Sequence, residues 1–170
     1  MSQKQKGFTI IELMITMVIA AIVLAFAAPS FMDLVEKNRV RTATEQLVEL
    51  FRMSRVVAVE QRNMVSVCGS SDSSSCDNDW GTSIISLKRG EEAADDEVLA
   101  RLNISDKISV SKNGTHTRVD FRTSGWAPAD NTTITLCPVD GDFHNAYRII
   151  VASSGKVKIK ANLEGDTTWC

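Results

Sequence analysis

Three sets of residues have types and spacings that chemistry can use. The first is Glu12, a lone carboxylate inside the apolar run Phe8–Ala28. Such a run can cross a bilayer as a helix, which takes about 20 predominantly apolar residues. A carboxylate at membrane depth costs roughly 2.5–3.5 kcal/mol even on lenient insertion scales, so an acid kept there is a functional candidate. The second set is the four cysteines Cys68, Cys76, Cys137 and Cys170, all beyond the apolar run. The third is Gly155-Lys156-Val157-Lys158-Ile159-Lys160. Alternation along a strand would put Lys156, Lys158 and Lys160 in one positive row and turn Val157 and Ile159 toward the core.

Four cysteines can pair in three ways. An even number beyond the apolar run points to disulfides and an oxidising compartment. Bridging Cys68 to Cys76 closes a small serine-rich loop, worth about 2–3 kcal/mol in the chain-entropy model. Bridging Cys137 to Cys170 stops the last residue from fraying. That pairing is the expectation. A zinc site would need closer cysteine spacing with nearby histidines, and His116 and His144 show no such relation. Asp77-Asn78-Asp79 and Asp140-Gly141-Asp142 lack the twelve-residue calcium loop with its closing glutamate and read as turns. The sequence offers no nucleophile–base pair, phosphate-binding glycine loop or metal motif, so it points to no enzyme and no cofactor.

The elements that position these residues follow from period and composition. The chain has 170 residues and a formal net charge of −2. That allows one domain beyond the apolar run and gives no global basic excess for nucleic acid. Beyond Pro29, which should kink or loosen a helix, the pattern is amphipathic. Phe31, Leu34, Val35, Ala43, Leu47, Leu50, Phe51 and Ser54 fall at spacings of three and four on one stripe, and charged residues such as Lys37, Arg39, Arg41, Glu45, Glu49 and Arg52 occupy the rest. One helix from Phe8 to about Gln61 is expected. After it the period changes to two. Strands are expected at Met64–Cys68, Thr82–Leu87, Val98–Leu102, Lys107–Ser111, Arg118–Arg122, Thr132–Cys137, Tyr147–Ala152 and Lys156–Lys160. Turn residues separate them at Asn113-Gly114, Ser124-Gly125, Asp140-Gly141 and Ser153-Ser154-Gly155, with an acidic loop over Glu91–Glu97 and a short connection over Ala127–Asn131. One long helix followed by many short strands is an α+β arrangement with antiparallel sheets packed on the helix. The expected divisions are a short basic stretch 1–7, a transmembrane helix 8–28, an amphipathic helix 29–63 and a β-rich domain 64–170.

Lys4 and Lys6, with no acid before Gly7, mark the N-terminal end as cytoplasmic. A secretory signal peptide cut near Ala25-Phe26-Ala27 fits the small-x-small pattern, but Glu12 breaks the uncharged region such a peptide requires. A plain signal anchor would leave Glu12 without a role. Gly7-Phe8-Thr9-Ile10-Ile11-Glu12-Leu13 resembles the G-F-T-L-I-E-L processing site of type IV pilins and type II secretion pseudopilins. The helix end Arg55–Asn63, the valine-rich strand ending in Cys68 and the segment Arg148–Val157 are similar to the GspH/FimT group within that family.

The resemblance implies a type IV pilin-like fold and a sequence of events. A prepilin peptidase would cut between Gly7 and Phe8 and methylate the new amino group of Phe8. The subunit would wait as a single-pass protein of the bacterial inner membrane with its globular domain in the periplasm. An inner-membrane assembly platform would then draw it into a filament with other major and minor pilins, and so to the cell surface. Glu12 would meet the positive N-terminus of a neighbouring subunit, where an ion pair sets register more than it adds stability. The resemblance further implies a minor pilin, with a type II secretion minor pseudopilin as the alternative. A third reading is a pilus-borne receptor for DNA uptake in natural transformation. Gly155-Lys156-Val157-Lys158 is similar to the G-R-x-R element with which some FimT members bind DNA, with lysine at both arginine positions, which lacks the planar fork of arginine. The plainer reading of that stretch is an edge strand whose lysines discourage aggregation. Arg118, Arg122 and Arg148 could extend the patch, but the sequence does not place them.

Overall fold

Helix α1 runs from Ile10 to Glu60, in agreement with the single helix expected from the apolar run and the amphipathic stripe. The structure, a computed structural model, describes residues 8–92, 95–114, 116–128, 131–139 and 143–170. Gly7 and the rest of the leader, part of the connection after Ala127 and the Asp140-Gly141-Asp142 cluster lie outside the described residues. Two compact units divide within α1, between Val35 and Glu36.

The first unit contains, among the described residues, only Phe8, Thr9 and α1 up to Val35. Its large apolar side chains, from Phe8 and Ile10 through Phe31, Leu34 and Val35, are exposed. This corrects the expected stripe. Phe31, Leu34 and Val35 have the right spacing, but no facing surface exists among the described residues of their unit, and the buried face begins at Val40.

In the second unit α1 buries Val40, Ala43, Thr44, Leu47, Val48, Leu50, Phe51, Ser54 and Ala58. The two buried hydroxyls do not go unpaired. Thr44 Oγ1 donates to the Val40 carbonyl at 2.8 Å and Ser54 Oγ to that of Leu50 at 2.6 Å, back-bonding that suits a hydroxyl inside a helix.

All eight expected strands form, with ends displaced by one or two residues. They are β1 Val65–Ser70, β2 Ser83–Lys88, β3 Glu97–Asn103, β4 Ile108–Asn113, β5 Arg118–Phe121, β6 Thr132–Pro138, β7 Tyr147–Val151 and β8 Val157–Ala161. They make two four-stranded sheets, β3-β2-β1-β5 and β4-β6-β7-β8, and every pairing is antiparallel. One apolar cluster joins α1 to both sheets. Val40, Leu47, Phe51 and Ala58 share it with Val65, Val67, Ile84, Val119 and Phe121 of the first sheet and Ile108, Ile134, Leu136, Ile149 and Val151 of the second. Phe51 and Phe121 meet edge to face with centroids 6.3 Å apart, the arrangement ring quadrupoles favour.

Strand β1 departs from simple alternation, since all six residues are buried. Its outer face is covered as well. Cys68, Ile85 and Leu87 form a second small cluster with Cys76 against it, beneath the loop that the Cys68–Cys76 disulfide closes (Cα–Cα 5.6 Å). On the second sheet, Cys137, Ala146 and Trp169 form a third cluster, beside the Cys137–Cys170 disulfide (Cα–Cα 6.0 Å). Each disulfide therefore fastens a flap that has too little apolar area of its own.

The 71–82 loop consumes its own acids. Asp72 accepts from the Ser74 and Ser75 amides at 2.8 and 2.9 Å and from the hydroxyls of Ser70, Ser74 and Ser75. Asp77 accepts from the Ser71 hydroxyl and amide and from the Asp79 amide. Asp79 accepts from the Gly81 amide and the Thr82 hydroxyl, and Asn78 Oδ1 from Trp80 Nε1. These are turns, with Ser73 and Asn78 in the left-handed region.

Hydrogen bonds, led by the Ser74 hydroxyl on Asp72 and the Ser71 hydroxyl on Asp77, hold both carboxyls well below the usual range. A group with a lowered folded pKa contributes stability above its unfolded value and loses it as pH falls through the folded one. Amide protection over Ser71–Asp79, taken relative to the intrinsic exchange rate at each pH, should fall as pH drops below about 4, while that of β1 is retained. Replacing Cys137 and Cys170 by serine should cost about 3–4 kcal/mol by the chain-entropy model, read as a lowered denaturant midpoint. An unchanged midpoint would show that the tail is held by packing alone.

Candidate functional sites: the N-terminal segment and the basic sheet edge

The start of α1 is set by Thr9. Its Oγ1 accepts the Glu12 amide at 3.2 Å, and its carbonyl accepts the Leu13 amide at 3.2 Å. Threonine followed three residues later by glutamate is the signature of a capping box, and sequence reading overlooked Thr9 although that signal was present. The cap fixes Glu12 in the first turn, where unpaired amides make the helix end positive and favour a carboxylate. The Glu12 side chain is exposed and has no partner among the described residues. A carboxylate on an otherwise apolar surface is chemically complementary to a cation supplied by another molecule.

The basic stretch lies on β8, which pairs only with β7 and is an edge of the second sheet. Lys158 stands opposite Ile150 and Lys160 opposite Arg148. Lys156 precedes the strand, its carbonyl accepting the Ala152 amide at 2.9 Å. All three lysines are exposed. One expectation needs correction. Val157 packs against the core, but Ile159 is 46% exposed, because no described element covers that end of the edge strand. Of the three arginines, Arg148 joins the patch through the β7–β8 register, while Arg118 and Arg122 belong to β5 and the loop after it, in the other sheet.

Arg148 and Lys160 share a further partner. The Arg148 guanidinium carbon lies 4.1 Å from the centre of the Trp169 ring, and Lys160 Nζ lies 5.5 Å from it. Arg148 Nε is buried without a hydrogen bond, and the face of the indole, with the Asp166 carboxylate, answers the charge of the guanidinium. The neighbouring Cys137–Cys170 bridge keeps Trp169 in place. Two cations of the row are thus occupied in holding the C-terminal tail, and Lys156 and Lys158 remain free among the described residues.

A separate device sets where Lys156 stands. Arg55, on the last turns of α1, donates Nε to the Gly125 carbonyl at 3.0 Å and a terminal nitrogen to the Ser154 carbonyl at 3.5 Å. The Ala127 amide reaches the Ser153 carbonyl at 2.9 Å. Gly155 sits between these turns with φ 77°. A Cβ there would lie 2.1 Å from the Gly125 carbonyl oxygen and 2.8 Å from Arg55 Nε. The glycine of the basic element is therefore required by backbone approach, whatever the lysines bind.

The histidines are apart. His116 follows β4 in the connection to β5, and His144 lies in the Phe143–Asn145 turn against Gly165. Among the described residues, no group of three His, Cys, Asp or Glu side chains is placed to hold a metal ion.

Known proteins agree with this architecture. The family model described as Type II transport protein GspH matches residues 43–155, and that of the prokaryotic N-terminal methylation motif matches residues 2–28. No curated protein matches by sequence. The fold is similar to the type IV minor pilin FimU of Pseudomonas aeruginosa PAO1, at 18% identity and a TM-score of 0.59 over 76% of this chain and 93% of that one. It is also similar to the minor pseudopilin EpsH of the type 2 secretion system of Vibrio cholerae, at 10% identity and a TM-score of 0.53 over 72% and 97%. A match over residues 43–155, preceded by the methylation motif, places this chain in the GspH family of type IV pilin-like proteins.

Proposed function

We propose that the protein is a minor pilin subunit of a type IV pilus that works by assembly. The observation that carries this reading is α1 up to Val35, apolar and exposed, with Glu12 held in its first turn by the Thr9 cap. A continuous apolar surface of this length needs lipid or other apolar helices around it. The order of events is cleavage between Gly7 and Phe8 by a prepilin peptidase, methylation of the Phe8 amino group, and residence in the inner membrane with residues 36–170 in the periplasm. Handover by the assembly platform to a filament of other pilins follows. Glu12 is disfavoured in lipid while unpaired. Pairing with the N-terminus of a neighbour removes that penalty, so entry into the filament is favoured over remaining in the membrane.

A Glu12→Ala variant is expected to insert and be processed like the parent but to be absent from sheared filaments. Normal incorporation would overturn the role given to Glu12. A deletion strain should lose piliation and keep export of folded exoproteins. Loss of export with normal piliation would assign the chain to type II secretion instead.

The juxtaposition of Lys156, Lys158, Lys160 and Arg148 at one sheet edge favours a second reading, in which the filament-borne subunit also holds DNA. Such binding would be carried by phosphate contacts and would weaken steeply with salt. With full-length protein in detergent, Lys156→Glu/Lys158→Glu should abolish a gel shift that the parent gives at low salt. Equal shifts by both would refute the site.

A further inference from the structure

The two edges of the first sheet carry opposite charge. At the β5 edge, a cleft of about 500 Å³ is lined by His116, Thr117, Arg118, Asp120, Arg122 and Pro128. Its one acid among the described residues is already answered from two sides. Asp120 accepts from Ser66 Oγ at 2.6 Å, and its Oδ1 lies 3.1 Å from Arg118 Nε. Arg122 is exposed and has no side-chain partner among the described residues. The cleft therefore has a cationic surplus.

The opposite edge carries the β2–β3 connection. Asp96 is paired with Arg89 there, and Glu97 with Lys88. Glu91, Glu92 and Asp95 are exposed, and their carboxylates have no partner among the described residues. Arg122 and the β2–β3 corner stand at the same end of the sheet, because Val65 pairs with Lys88 on one side and with Phe121 on the other, while Arg118, opposite Cys68, stands further along the cleft. They cannot neutralise each other within one molecule. From β3 to β5 is three strand spacings, about 14 Å.

We infer that the cationic cleft of Arg118 and Arg122 docks the acidic β2–β3 corner, Glu91, Glu92 and Asp95, of a second copy of this chain. Opposite edges of one sheet meeting head to tail form a heterologous contact, which repeats into a filament or ring and does not close as a dimer. An uninterrupted polyanion such as a nucleic acid strand fits the cleft less well, because Asp120 stands between the two arginines. A contact made of exposed charges is weak in free solution. It gains force where anchoring in a membrane or filament raises the effective concentration of neighbours. The inference rests on the filament-subunit reading for that setting only.

The test reads pairwise association without a filament, so its failure leaves the Glu12 reading standing. Full-length protein in detergent micelles is followed by sedimentation at low and high salt. The parent should associate at low salt and dissociate as salt screens the contact. Arg122→Glu and Glu91→Lys/Asp95→Lys should each weaken self-association by about fivefold or more. An equimolar mixture of the two variants should recover it, since each then meets an edge of opposite charge. Unchanged melting of both variants separates lost contact from lost fold. Association that ignores salt and both substitutions, or a mixture no better than either variant alone, would overturn the proposal. So would a parent that stays monomeric at low salt, which would mean a partner other than a second copy.

Discussion

Everything in the globular unit depends on burying one face of α1 between Val40 and Ala58. Each four-stranded sheet has an apolar face that must be buried, and α1 contributes to the cluster that buries both. The helix provides a rigid apolar ridge on which both sheets close. Leu47 and Phe51 are fully buried in one cluster with residues of β1, β5, β6 and β7. Phe51 on the helix and Phe121 on β5 lock one sheet to that ridge, and Ser54 Oγ, 2.7 Å from Ser86 Oγ, ties β2 to it through a polar contact.

The same helix end organises the turns. Arg55 is one residue past that buried serine, and its guanidinium holds the turn after β5 and the turn before β8. The two turns come from different sheets, so this side chain, together with the Ala127 amide on the Ser153 carbonyl, ties their ends to each other. The cost is a loss of freedom at Gly125 and Gly155, both with positive φ. A basic element whose glycine serves the scaffold and whose last lysine helps hold Trp169 combines structural and recognition duties within a few residues.

The outer faces of both sheets are too small to hold their covers by burial alone. The disulfides take over there, closing loops of sequence separation 8 and 33. Both flaps carry the same chemistry in miniature, with a few buried apolar groups, a bridge, and acids spent on local amides. Asp166 caps the last turn by accepting the Thr168 amide at 2.9 Å, much as Asp72 and Asp77 do in the first flap. Both bridges need an oxidising compartment to form and persist.

What the sequence determined by itself is what local period and chemistry encode. The apolar run with Glu12, the change from period 3.6 to period 2 at Met64, and the turn residues were enough to place α1 and all eight strands within a residue or two. Cysteine spacing was enough to favour the observed bridges over the other pairings. Thr9 was legible too, through its distance from Glu12, and was missed. Other features were not written locally. That Phe31, Leu34 and Val35 stay exposed while Val40 does not depends on where a facing surface exists, and spacing on one helix says nothing about what lies opposite. Ile159 has the alternation of a core residue but sits at an edge, and edge position is a property of strand order. Arg148 joins Lys160 while Arg118 and Arg122 join the other sheet for the same reason, since antiparallel register brings together residues far apart in the chain. The opposed charges at the edges of the first sheet likewise arise only once β3 and β5 are placed at its two sides.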